Sequence, residues 1–206
     1  MHASRELVQL PFVLPRSWFP VRFRPATRMG DEELFQLCAA NSELRIERTA
    51  QGEIIVMSPT GGQTSRRNSA LTAALYAWAT KDGTGVTFDS SGAFLLPSGA
   101  ERAPDVSWVH KARWDALTDE QRERFPPLCP DFVVELVSPS DALGEVQAKM
   151  REYMDNGARL GWLIDPGTRR VWVYRPAHEA VCLESPTHVD GAQVLPGFVL
   201  ELATIW

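Results

Sequence analysis

Three cysteines, Cys38, Cys129 and Cys182, are all that this 206-residue chain carries, and they are isolated, odd in number and without metal-ligand spacing. No zinc site or disulfide framework follows from them, and they read as reduced, partly buried small hydrophobes. None of the four histidines has a partner at a spacing that suggests a catalytic triad or a metal site. Long apolar runs are missing too. Nothing approaches the roughly 18 to 20 residues of a membrane span, and Val8 to Leu14 is too short, and too broken by Gln9 and Pro11, for a signal-peptide core. A soluble, cytoplasmic protein is expected, with no membrane partner. Positive charge is also in deficit: 21 basic against 26 acidic residues give a formal charge of −5, which argues against a protein that coats nucleic acid. A local basic groove around an acidic site remains compatible with that balance. Lysine is scarcest of all, since Lys81, Lys111 and Lys149 are three of the 21 basic residues and the other 18 are arginine.

With 44% hydrophobic residues the chain can bury one substantial core, and no segment reads as a long linker. Residues 1–30 carry Pro11, Pro15, Pro20 and Pro25 without periodicity and are expected to form an extended arm, which Phe12, Trp18 and Phe19 would hold against the body or a partner subunit. Residues 31–206 are expected to form one domain. Asp31 can N-cap a helix carrying Leu34, Leu37 and Cys38. Leu44 to Thr49 alternates, turns at Ala50-Gln51-Gly52 and returns through Glu53 to Met57 as a β-hairpin. Thr64 or Ser65 can cap a second helix with an apolar stripe of Leu71, Ala74, Leu75 and Trp78, and with Arg66 and Arg67 in its first turn.

Strands are expected at Gly85 to Leu96, bent at Ser90-Ser91-Gly92, at Arg102 to Val109 and at Asp131 to Ser138, with a capping box at Thr118–Gln121 between the last two. A helix ending at Gly157 carries Leu143, Val146, Met150, Tyr153 and Met154 on one face. Strands at Leu160 to Pro166 and Arg170 to Tyr174 follow, and the tail from Gln193 to Trp206 holds at least one more. The order predicts an α/β (α+β) fold, a mixed sheet flanked by helices.

Two of the strands each hold an acid inside an apolar run: Asp105 in Ala103-Pro104-Asp105-Val106-Ser107-Trp108-Val109 and Glu135 in Phe132-Val133-Val134-Glu135-Leu136-Val137. A carboxylate there is costly to desolvate, so two in neighbouring segments suggest a cation that compensates them. If the strands are neighbours, both can converge on one hard ion, Mg²⁺ or Mn²⁺, which also takes backbone carbonyl oxygen, here that of Leu136, and water. Such an ion polarises a phosphodiester, and a nearby ammonium such as Lys149 offsets developing charge. This is the constellation of a metal-dependent nuclease.

The order Pro104-Asp105, then Glu135 on the next strand, then Lys149, resembles the PD-(D/E)xK nuclease superfamily. Together with Met57-Ser58-Pro59-Thr60-Gly61-Gly62, Glu135-Leu136-Val137-Ser138-Pro139-Ser140, Lys149 with Tyr153, and Gly161-Trp162-Leu163-Ile164-Asp165-Pro166, it is similar to the Uma-two family of restriction-endonuclease-like proteins from about Asp31 to Trp206. The resemblance implies that Asp105 and Glu135 are metal ligands, that Lys149 is the catalytic lysine and that DNA is the substrate. The chain departs from the superfamily in having Val137 where the usual lysine stands, so the lysine comes from the following helix. It also has Gln63-Thr64 where many relatives carry Glu-His. Glu47 on the hairpin, Ser138 and Tyr153 are supporting candidates, and Arg66 and Arg67 are candidates for backbone phosphate.

Plainer readings compete. Asp105 could satisfy a turn, Lys149 could pair with Glu145 on the helix surface, Asp165 could end a strand, Asp141 could cap a helix, and Trp108, Trp162 and Trp172 suit a core. Two other functions stay open: an interaction module on the same fold without catalysis, favoured if Lys149 faces solvent, and a two-carboxylate glycosidase, which needs aromatic platforms around the acid pair. The proline-rich arm and apolar tail lead to an expectation of a homodimer.

Overall fold

The computed structural model describes residues 19–206. Phe12, Trp18 and most of the expected arm lie outside the described residues. The chain divides into two compact units, Met1–Pro59 and Thr60–Trp206.

In the first unit the expected extended arm contains a strand. β1 (Val21–Phe23) runs antiparallel to β3 (Ile54–Met57), with Val21 opposite Val56 and Phe23 opposite Ile54. Pro20 and Pro25 bracket it and keep it short. The hairpin forms as expected, β3 pairing with β2 (Arg45–Arg48). Between β1 and β2 lies α1 (Asp31–Ala40), whose N-cap is Gly30 rather than Asp31. The Glu33 carboxylate accepts the Gly30 N–H at 2.9 Å, while Asp31 pairs with the buried Arg48 at 2.5 Å.

The second unit opens with α2 (Gly62–Asp82), which starts before Thr64 and Ser65 with Gly61 as its N-cap. Neither side chain caps it, because Ser65 N–H is already taken by Gly61 O at 3.0 Å; Arg66 and Arg67 consequently fall in the second turn. The strands that follow are β4 (Gly85–Phe88), β5 (Phe94–Leu95), β6 (Glu101–Arg102) and β7 (Val106–His110). The bend between β4 and β5 is fastened by Asp89, which accepts the Ser91 N–H at 2.9 Å. The single strand expected over Arg102 to Val109 is split at Ala103-Pro104-Asp105, where Pro104 has no N–H to give to a ladder. Two short helices, α3 (Lys111–Asp115) and α4 (Asp119–Glu123), fill the excursion, the second opened by the Thr118–Gln121 capping box. Then come β8 (Phe132–Leu136), α5 (Leu143–Asp155), β9 (Leu160–Asp165) and β10 (Arg170–Tyr174), with Gly157 at φ +106° stopping α5. β11 (Val181–Glu184), β12 (His188–Asp190) and β13 (Val199–Glu201) complete the chain. Only the last was expected, because the other two are short and mostly exposed and carry little burial pattern.

Six strands form the main sheet in the order β11-β10-β9-β8-β7-β4. All neighbours are antiparallel except β8 and β9, whose parallel pairing is made by the α5 crossover. The central strands β8 and β9 are buried on both faces. On one, Leu71, Leu75 and Ala79 of α2 pack with Val106, Trp108, Phe132, Val134, Trp162 and Ile164. The opposite side chains of β8, Val133 and Glu135, meet α5, which comes so close that a Cβ on Gly161 would lie 2.5 Å from Met150 Cε and 3.3 Å from Val133 Cγ2. No helix among the described residues is long and apolar enough to cross a membrane.

Candidate functional site

The antiparallel register of β7 and β8, with Val106 opposite Val134 and Ser107 opposite Val133, brings Asp105 opposite Glu135 one step further on. Both are 5% exposed. Regular pairing ends at that step, and the Asp105 carboxylate takes over, accepting the Leu136 N–H through Oδ2 at 2.8 Å. One face of α5 closes over the pair. Lys149 Nζ lies 2.7 Å from Glu135 Oε1, and Tyr153, one turn further along α5, donates its hydroxyl to the same oxygen at 3.0 Å. Lys149 also donates to Ala103 O at 3.3 Å and stands 5.8 Å from the centre of the Tyr153 ring. Its side chain is 14% exposed, so it faces the acid pair and not solvent. It reaches the end of a central strand.

The helix phase explains the convergence. Residues four apart on a helix share a face, and Gly161 lets α5 lie near the sheet, so an ammonium and a phenol reach Glu135 from above. Two carboxylates and one ammonium leave a formal charge of −1 in a buried place. Among the described residues no group of three or more His, Cys, Asp or Glu side chains could hold a metal. Any cation here would therefore draw on two carboxylates and neutral oxygens, the donor set of a hard ion that keeps part of its water. The oxygen-only chemistry of Asp105, Glu135 and the Leu136 carbonyl fits Mg²⁺ or Mn²⁺ and does not fit a thiophilic metal.

Other expected residues make contacts of their own. Ser138 belongs to a turn, its N–H held by Asp141 Oδ2 at 2.8 Å and its hydroxyl 3.0 Å from that of Ser140. Glu47 is on β2 of the first unit, 3.9 Å from Arg45. Arg66 and Arg67 donate to the carbonyls of Thr204 and Ile205 at 3.1 and 2.6 Å, so these hydrogen bonds serve the C-terminal turn. Asp165 ends its strand as the plainer reading had it, accepting from Gly167 N at 2.8 Å and from the Thr168 hydroxyl at 2.7 Å. Trp108 and Trp162 are core residues and offer no sugar platform. The sequence reading missed Asn68, whose Nδ2 lies 3.4 Å from Asp105 Oδ1. The signal was there: the buried positions of α2 are Thr64, Asn68, Leu71, Leu75 and Ala79, an amide inside the apolar stripe.

A mixed sheet with helices on both faces, carrying an acid pair at the ends of two central strands beneath a lysine of the crossover helix, is a nuclease-like α/β arrangement. Residues 31–203 match the model of the Uma2 family, described as "Putative restriction endonuclease", and the chain belongs to that family. Among solved structures, a protein titled a "putative nuclease belonging to DUF820" from Anabaena variabilis superposes with a TM-score of 0.67 over 78% of this chain and 88% of its own. At 21% identity that likeness speaks for the fold. No curated protein matches the chain in sequence.

Proposed function

We propose that this protein is a divalent-cation-dependent endonuclease that hydrolyses DNA phosphodiester bonds. One observation carries the reading: a part-buried ammonium, Lys149, sits 2.7 Å from a buried carboxylate, Glu135, which the strand register sets opposite a second carboxylate, Asp105. Asp105, Glu135 and the Leu136 carbonyl would hold Mg²⁺ or Mn²⁺, which when bound supplies Lewis acidity toward a phosphoryl oxygen. The chain's own groups do the rest. The Leu136 N–H fixes the orientation of the Asp105 carboxylate, and the Tyr153 hydroxyl fixes that of Glu135. Lys149 keeps a positive charge where negative charge accumulates on the phosphate during cleavage, in a place whose burial strengthens the interaction. With a formal charge of −5 the protein does not draw DNA to itself by its overall field, so local positive charge must do it.

The test is relaxation of supercoiled plasmid in Mg²⁺ or Mn²⁺ by the wild type, Asp105→Asn, Glu135→Gln and Lys149→Ala, with cation affinity measured by calorimetry. Nicking that needs the cation and falls by about 10²-fold or more in each variant is expected. Nicking by Glu135→Gln at the wild-type rate would reject the assignment.

A further inference from the structure

Asn68 is 8% exposed, and its Oδ1 is shut off from solvent without a hydrogen-bond partner among the described residues. Its Nδ2 makes only a long contact, 3.4 Å to Asp105 Oδ1, against the roughly 2.9–3.0 Å of a good N–H···O bond. A buried acceptor left in this state is costly and rare in folded proteins. If Asn68 served only to donate a hydrogen bond to Asp105, its oxygen would remain unexplained.

We propose that Asn68 gives its amide oxygen to the divalent cation held by Asp105 and Glu135, as a third side-chain ligand. The inference rests on reading that pair as a cation site. Amide oxygen is a hard, neutral donor that Mg²⁺, Mn²⁺ and Ca²⁺ accept, and it adds no charge to a place that already holds two carboxylates. The separation agrees. Rotation of the amide about its last torsion exchanges nitrogen and oxygen, which have nearly the same size. The oxygen then takes the place 3.4 Å from Asp105 Oδ1. Two oxygens at right angles on one cation, with bonds of about 2.0–2.6 Å, stand about 2.8–3.7 Å apart. Without a cation such an oxygen pair repels, and the amide turns its nitrogen to Asp105. The amide is thereby a rotor with one orientation for the free site and another for the loaded one.

The experiment uses the full chain, with Mn²⁺ affinity from calorimetry and Tb³⁺ luminescence lifetimes in H₂O and D₂O to count coordinated waters. Asn68→Ala is expected to weaken Mn²⁺ by about tenfold or more and to gain about one water on Tb³⁺. Asn68→Ser, a second variant should the alanine protein fold poorly, is expected to do the same. Asn68→Asp, of nearly identical shape, is expected to bind at least as tightly as wild type with no added water. Wild-type affinity and water count in Asn68→Ala or Asn68→Ser, with binding lost in Asp105→Asn, would overturn the role of Asn68 and leave the cation site standing. Weaker binding by Asn68→Asp would also overturn it, since loss of the N–H would then matter more than the oxygen. Failure of the wild type to bind Mn²⁺ at millimolar concentration would overturn the site itself, and this inference with it.

Discussion

Lys149 and Glu135, under the function proposed above, form a single pair that serves both folding and chemistry. The side chains are 14% and 7% exposed, so each charge has lost most of its water and depends on the other and on Tyr153. Removing one partner from such a pair is expensive because the survivor stays largely buried after its nearest opposite charge is gone. Lys149→Ala should therefore lower stability by about 3 kcal/mol in chelator, more than a lysine on a helix flank would lose. The double variant Lys149→Met, Glu135→Gln should recover most of that loss, and urea unfolding midpoints decide it. A loss below about 0.5 kcal/mol would mean that the pair behaves like a surface ion pair. Under the proposed function, the same geometry lets Lys149 supply the ammonium that the resemblance would place at Val137. Val137 N–H is engaged with Ile164 O at 2.8 Å in the sheet, and the ammonium arrives at Glu135 from the helix above it.

The position of α5 sets that arrival, and β9 sets α5. At Gly161 the helix comes within contact of the strand backbone: a Cβ would meet Met150 Cε at 2.5 Å, Met154 Cε at 3.0 Å and Val133 Cγ2 at 3.3 Å. The methionine ends can swing, but Met150 is fully buried and has little room to do so. Gly161→Ala should cost about 1–3 kcal/mol as overpacking, and Gly161→Val more. Because the strain lifts α5, the alanine variant should also lose plasmid nicking, although residue 161 touches neither acid. Unchanged stability and activity would show that α5 does not need this close seat.

The molecule as a whole should weaken in alkali, for a reason traceable to burial. Burial pushes the Cys129 thiol up from its usual 9.0 to about 12, Arg113 opposing this in part, and it raises the Tyr174 phenol as well. Both groups are neutral when protonated, so the fold binds their protons more tightly than the open chain does. Their contribution is fully present below the unfolded pKa values, near 9 for the thiol and 10 for the phenol, and is lost as pH rises through the higher folded values. For Cys129 the window is pH 9 to 12, with a slope of about 1.4 kcal/mol per pH unit. Urea unfolding at pH 8, 9, 10 and 11 should show the decline, and Cys129→Ala should flatten it while lowering the plateau. A plateau unchanged to pH 11 would contradict the assignment.

Much of this protein was legible locally. Alternation marked the hairpin of β2 and β3 and the strands β7, β8, β9 and β10, and the apolar stripe marked α2, because these patterns repeat within a few residues. Asp105 and Glu135 stood out for the same reason, as charges where the pattern asks for apolar side chains. What the pattern could not contain was partnership across the chain. Asn68 meets Asp105 across 37 residues, Tyr153 meets Glu135 across 18, and Arg66 and Arg67 reach carbonyls 138 residues away. An exposed-looking arginine and a clamp on the C-terminal turn are the same letter until the sheet is closed. Local periodicity determined which residues lie inside. Only the β7–β8 register and the depth at which α5 settles on Gly161 decided which of those interior charges face one another, since a charge's chemistry depends on neighbours that the chain brings from a distance.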